Sequence, residues 1–262
     1  MKRFILFSFF SFFSLAAFAQ IDLSFIDHLS KNHLKKEHLI YLNNLPASTN
    51  SDSVCLLRSK YYLQYFSDSS FYHSYSNCSS LFRQDTTAFN RASILFLKPG
   101  NLHQKEWFAS FPDENLSFIT KNVRRVYLST VSPLTTNLND IPLTLQKDFL
   151  KYKKAYRKKP IVAAALSMAV PGLGKLYTGR TRSFITTLVT HVIYGIESYE
   201  SIKKFGIKNG YSIFSLSVFG VFYAANIYGS YHDVSQLKKE TRNQYLINAN
   251  SYYNFNYYSD SY

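Results

Sequence analysis

Seven histidines and two cysteines are the side chains of this 262-residue chain best suited to metal or nucleophilic chemistry. Their spacing argues against most of it. His28, His33 and His38 recur every five residues. At about 100° per residue, three such side chains on one helix point in three directions and cannot converge on one ion. There is no H-E-x-x-H, no G-x-x-x-x-G-K-[ST] and no G-x-G-x-x-G, and no Ser-His-Asp or paired-carboxylate arrangement can be identified. Pro171-Gly172-Leu173-Gly174-Lys175 has the glycines and lysine of a phosphate loop without its spacing. The sequence thus nominates no catalytic residue, no metal ligand and no cofactor.

Three other sets of residues stand out. His191 falls in the middle of an uncharged stretch, with Thr186, Thr187 and Thr190 nearby. Ionisable residues at membrane depth tend to be functional or paired; the simpler reading is a neutral imidazole bonded to a neighbouring helix, with Asn226 as partner. Cys55 and Cys78 flank a stretch that reads as a helical hairpin, residues 51–66 and 70–84, turning near Ser67 to Ser70. A disulfide is geometrically possible there, two buried thiols being the alternative. Lys153, Lys154, Arg157, Lys158 and Lys159 form a basic run directly before an apolar segment, the usual setting for contact with anionic headgroups. That run accounts for much of the net charge of +14 and favours a membrane surface over nucleic acid as partner.

The elements that must position these residues fall into five segments. Residues 1–19 read as a signal peptide. Lys2 and Arg3 precede an apolar core at 4–15, and Ala17-Phe18-Ala19 is an A-x-A cleavage site that leaves Gln20 as the first mature residue. Residues 20–150 read as an exported helical domain. A helix is predicted over 22–44, ended by Pro46 and the polar 47–50 stretch, followed by helix-length segments over 51–66, 70–84, 87–97 and 103–111. Two more helices are expected within 114–158, separated by residues 132–142. Paired helices joined by short polar turns suggest either an irregular helical domain or a tetratricopeptide-like solenoid. Packing between helices then accounts for much of the content of 22 Tyr and 23 Phe.

Residues 151–160 form a basic juxtamembrane segment, 161–231 a cluster of two to three membrane helices, and 232–262 a tail rich in Asn, Tyr and Ser, either disordered or folded at the membrane surface. Three uncharged runs make up the cluster: 161–174, 183–196 and 209–231. Only the third is long enough to cross about 30 Å of hydrocarbon; each of the others covers only about 21 Å as a straight helix. Three crossings are the favoured arrangement, with a shallow or re-entrant first segment as the alternative. Pro171 and Gly172 should break the first run and press it against a neighbour, with Gly195, Gly220, Gly229, Ala224 and Ala225 allowing close approach. Glu197 and Glu200 are expected at an interface near Lys203 and Lys204.

Ala165-Leu166-Ser167, Pro171-Gly172-Leu173-Gly174 and Leu176-Tyr177-Thr178-Gly179 together resemble the motif of the two-transmembrane-helix domain family. More closely, they resemble a group of uncharacterised bacterial membrane proteins that join a signal peptide, a tetratricopeptide-like exported domain and this motif. Phe222-Tyr223 and Asn226-Ile227-Tyr228-Gly229 are similar to that group's final helix. Lys175 departs from the pattern, where a glutamine is expected. The resemblance implies an all-α fold and transfers no catalytic residue. It implies structural roles for Pro171, Gly172, Leu173, Gly174, Tyr177, Gly179, Asn226, Tyr228 and Gly229.

These readings converge on a non-enzymatic protein of the bacterial inner (cytoplasmic) membrane, its N-terminal domain facing the periplasm or exterior. The expected partners are membrane lipids and another envelope protein or peptide, with no nucleic acid. The alternatives are an assembly or insertion factor acting on lipids or membrane proteins, and a membrane enzyme.

Overall fold

A computed structural model describes residues 22–45, 51–65, 68–101, 103–109 and 116–258. The signal peptide with its cleavage site, the polar stretch at 46–50 and the last four residues lie outside the described residues. Within them all regular structure is helical, with no strand. The chain divides into two compact units after Arg124, whereas composition places the change near residue 150.

The N-terminal unit begins with α1 (Leu23–Lys31) and α2 (Lys35–Asn43). The single helix predicted over 22–44 is broken because the Asn32 side chain donates to the His28 carbonyl at 2.8 Å, ending α1, and His33 turns the chain at a φ of 54°. Asp22 caps α1, its Oδ1 accepting from the Ser24 and Phe25 amides at 3.0 Å. The reversal brings Ile26 and Leu42 together on Tyr61 of α3 (Ser51–Tyr65).

The second arm of the predicted hairpin is also split, into α4 (Asp68–Ser76) and α5 (Ser79–Gln84), with the break at Asn77 and Cys78. Cys55 of α3 and Cys78 are joined by a disulfide with Cα atoms 5.9 Å apart. A link closing a loop of this size contributes roughly 3 kcal/mol. Then come α6 (Thr86–Phe96) and α7 (Gln104–Ala109). Trp107 of α7 is almost wholly buried and meets the rings of Phe96 at 4.4 Å, Tyr75 at 4.9 Å and Phe71 at 5.9 Å. Its indole N–H donates to Ser93 at 3.3 Å, so the one polar atom of the ring is satisfied. Helix lengths here run from 6 to 15 residues.

The C-terminal unit is organised on one helix. After α8 (Phe118–Val131), a 3₁₀ turn (Leu138–Asp140) leads into α9 (Leu143–Arg157). There follow α10 (Pro160–Ala169), α11 (Leu173–Thr178), α12 (Thr181–Phe205) and α13 (Gly210–Tyr258). With 49 residues, α13 is about 74 Å long. Its first half is the one helix among the described residues long and apolar enough to cross a membrane. The helix does not stop at residue 231; the polar tail continues it to Tyr258. The reason is packing: Tyr245, Leu246, Ala249 and Tyr253 are buried on one face. Phe149 and Tyr152 of α9 meet the Tyr245 ring at 5.7 and 6.5 Å, and Asn248 donates to Asp148 at 2.6 Å.

Candidate functional site

The local chemistry of this unit concentrates where the Pro-Gly segment interrupts an apolar helix. Pro171 has no amide hydrogen and Gly172 takes a φ of 89°, so α10 ends and α11 begins at a different angle. Such a break leaves polar backbone groups without helical partners, a serious cost in apolar surroundings. Here the four amides that open α11 and two carbonyls near the end of α10 find partners within the protein. The first four amides of α11 donate to the Val170 carbonyl at 3.1 Å (Leu173), Ser167 Oγ at 2.9 Å (Gly174) and the Gly172 carbonyl at 2.9 and 3.2 Å (Lys175 and Leu176). At the end of α10, the Ser167 carbonyl accepts from the Asn226 amide at 3.4 Å and the Met168 carbonyl accepts from the Tyr223 hydroxyl. Ser167 Oγ in turn donates to Ser230 at 2.7 Å. Tyr223, Asn226 and Ser230 share one face of α13 at three- and four-residue spacing. That helix therefore carries the capping groups for a break elsewhere in the chain.

Close approach explains the remaining glycine. A Cβ on Gly174 would lie 2.2 Å from the Ala163 carbonyl oxygen and 2.6 Å from both Ser167 Oγ and Ser230 Cβ. No side chain fits where α10, α11 and α13 meet. A Cβ on Gly172 would lie 3.1 Å from two atoms of Phe184 on α12. Gly179, at a φ of 87°, ends α11. The close approaches expected at Gly220 and Gly229 are not made. A Cβ at either would meet nothing within 4 Å, Ala224 and Ala225 are exposed, and Gly195 has only Phe219 at 3.7 Å. Those positions face outward because the polar face of α13 is the one turned to its neighbours. Tyr228 is exposed, and Leu173 is half-buried.

His191 is buried on α12, facing Phe219 and Tyr223 at 6.2 and 6.0 Å. Its Nδ1 lies 2.7 Å from the Thr187 carbonyl, one turn back on the same helix, not against Asn226. A carbonyl only accepts, so Nδ1 carries a proton. Nε2 is buried without a partner, as is Asn226 Oδ1. Lys175, the departure from the motif, donates to Thr187 Oγ1 at 2.7 Å. The segment thus holds two buried polar atoms without partners, His191 Nε2 and Asn226 Oδ1, and one cation, Lys175. Among the described residues, no three His, Cys, Asp or Glu side chains gather as a metal site.

The basic run lies at the α9–α10 junction. Lys158 donates to the Tyr177 carbonyl and stands over its ring at 5.1 Å; the Lys159 amide donates to the Tyr177 hydroxyl at 3.3 Å. Burial, with the neighbouring Lys154 charge, holds the Lys158 ammonium below the usual lysine range. Lys153 reaches back to the Thr136 carbonyl at 3.1 Å, while Lys154, Arg157 and Lys159 are exposed. Nearby, Arg180 pairs with Asp233 and, at 3.4 Å, with Glu240. Sequence reasoning missed Ser167, Tyr223 and Ser230 as capping groups and the Arg180–Asp233 pair. The polar residues recurring on one face of an otherwise apolar α13 were the available signal.

The opposite end of the α12–α13 pair is fastened by serines: Ser198 to Ser215 at 3.0 Å and Ser201 to Ser212 at 2.9 Å. Glu200 pairs with Lys204 at 3.1 Å and Glu197 accepts from Tyr211 at 2.9 Å. Between the two charged ends, Ile185, Val189, Val192 and Ile196 of α12 and Ile213, Phe214, Val221 and Phe222 of α13 are exposed. The result is an apolar exterior around a polar interior, the inverse of a water-soluble bundle. No protein-family model, no curated protein and no solved structure matches this chain.

Proposed function

We propose that this chain is a non-enzymatic envelope protein, held in the bacterial inner membrane by α12 and α13, whose N-terminal helical unit faces the periplasm or exterior and serves as an interaction scaffold. One observation carries the anchor: large apolar side chains are exposed on both helices while serine, threonine, histidine and asparagine are buried between them. Along α12 the uncharged run 183–196 covers about 21 Å, and Arg182 at one end and Glu197 and Glu200 at the other, all exposed, mark where its span meets the headgroups. The signal-peptide pattern and the Cys55–Cys78 disulfide favour an oxidising compartment for the N-terminal unit. We read that unit as an irregular, tetratricopeptide-like set of helical hairpins. Leu23, Phe25 and Ile40, exposed on α1 and α2, offer an apolar docking surface for a protein or peptide. The resemblance to membrane proteins carrying the two-transmembrane-helix motif agrees with this reading.

The test is site-specific photo-crosslinking of the full chain in cells, with the reactive residue at Phe25 or Ile40. A discrete adduct with an envelope protein, lost when the reactive residue is moved to Glu240, is expected. Absence of any adduct from either position overturns the scaffold role.

A second reading, an assembly or insertion factor, is favoured by His191 Nε2 and Asn226 Oδ1, buried polar atoms without partners that the backbone of an entering chain would satisfy. It requires that His191→Leu slow membrane-protein insertion while leaving the protein's own level unchanged.

A further inference from the structure

The contacts along α13 fix the order in which the chain passes each depth of the C-terminal unit. Asp148 lies beside Asn248, Lys238 stands over Tyr156 at 5.1 Å, Ser167 meets Ser230 and Met168 meets Tyr223. So α9 and then α10 run down α13, antiparallel to it. After the Pro171-Gly172 turn the chain comes back: Gly174 packs on Ala163, and Tyr177 reaches Lys158 and Lys159. The end of α11 is therefore level with the start of α10. Arg180, next in the chain, meets Asp233 at that same end. Only then does α12 run the full length, from Arg182 to the serine pairs near Ser201, where α13 starts back.

Resting on the anchor reading above, we infer that α10 and α11 form a re-entrant hairpin seated in a single lipid leaflet, and that α12 and α13 alone cross the bilayer. The occupant of the hairpin's exposed face is phospholipid: acyl chains against Ile161, Met168 and Leu176, which are exposed, and anionic headgroups against the lysines at its base. Length supports the shallow insertion, since α10 has 10 residues, about 15 Å, half a bilayer. Chemistry supports it too, because each of the first four α11 amides is satisfied inside the protein, the condition for irregular backbone at membrane depth. The consequence is parity. Two crossings return the chain to the side it left, so α9 and the C-terminal half of α13 share one side, as their packing demands. Three crossings would put Phe149 and Tyr245 on opposite faces of the membrane, yet their rings are 5.7 Å apart.

The experiment is a cysteine-accessibility map of the full chain in right-side-out vesicles, using a membrane-impermeant maleimide before and after permeabilisation. Single cysteines are introduced as Lys151→Cys, Thr181→Cys, Lys208→Cys and Ser251→Cys, all at exposed positions; the native pair is already disulfide-bonded. The inference expects positions 151, 181 and 251 to label together and 208 to behave oppositely. If 151 groups with 208 and 181 with 251, three crossings occur and the re-entrant hairpin is overturned while the anchor stands. If all four label alike, nothing crosses, and the anchor itself fails. A second measurement separates seating from folding defects: Ile161→Lys combined with Met168→Lys should shift α10 out of lipid and expose Thr181→Cys to faster labelling, whereas unchanged labelling contradicts lipid contact.

Discussion

His38 is the residue whose surroundings most clearly constrain its charge. It is buried, neither ring nitrogen has a partner, and the Tyr61 and Tyr65 rings meet it edge-on at 4.7 and 6.0 Å. Burial pushes the imidazole below its ordinary value of 6.5. The unfolded chain then binds the proton more readily, so stability is full above about pH 6.5 and falls as the pH drops toward the folded-state value. Melting of the full chain in detergent between pH 8 and pH 5 should show this decline, and His38→Leu should flatten it. At Gly174 the constraint is volume. Gly174→Ala drives a methyl into a backbone carbonyl and should cost about 3 kcal/mol, read as a lowered melting temperature. Gly220→Ala, facing open space in the interior of α13, should instead stabilise by about 0.5–1 kcal/mol and serves as the control of opposite sign.

At the level of elements, α13 is held by different means along its length. Its first half uses serine pairs and side-chain caps, and its second half an aromatic and aliphatic face against α9. Burial holds the Tyr245 phenol well above its ordinary range, partly offset by the hydrogen bond to Ser129. Tyr245→Ala should remove about 3–5 kcal/mol of packing and raise amide exchange along residues 243–258 while leaving 210–230 protected. The limits of α6, α8 and α9 were legible because apolar residues recur there at helical spacing between plain breakers. The split at His33 was not, since it depends on an Asn32 side chain folding back on its own helix. The continuation of α13 was hidden by composition: Asn, Tyr and Ser read as a solvated tail, although Tyr245, Leu246, Ala249 and Tyr253 mark one face. Of the candidate site, the break at Pro171-Gly172 could be read directly. Its caps on Tyr223, Asn226 and Ser230 could not, because they lie more than fifty residues away and are joined to it only by the fold.

For the whole molecule, the arrangement is a helical unit knitted by aromatic packing and one disulfide, followed by a second unit with its polar groups inside and apolar groups outside. Reduction of Cys55–Cys78 should destabilise the first unit by roughly 3 kcal/mol without releasing the chain from membranes. The central claim is that the exposed apolar faces of α12 and α13 lie in lipid. The most direct measurement is fractionation of cells expressing the full chain, with an alkaline carbonate wash of the membranes. The account predicts that the chain stays in the washed pellet and is released only by detergent. Recovery of the folded chain in the carbonate supernatant, or in the soluble fraction beforehand, would contradict it.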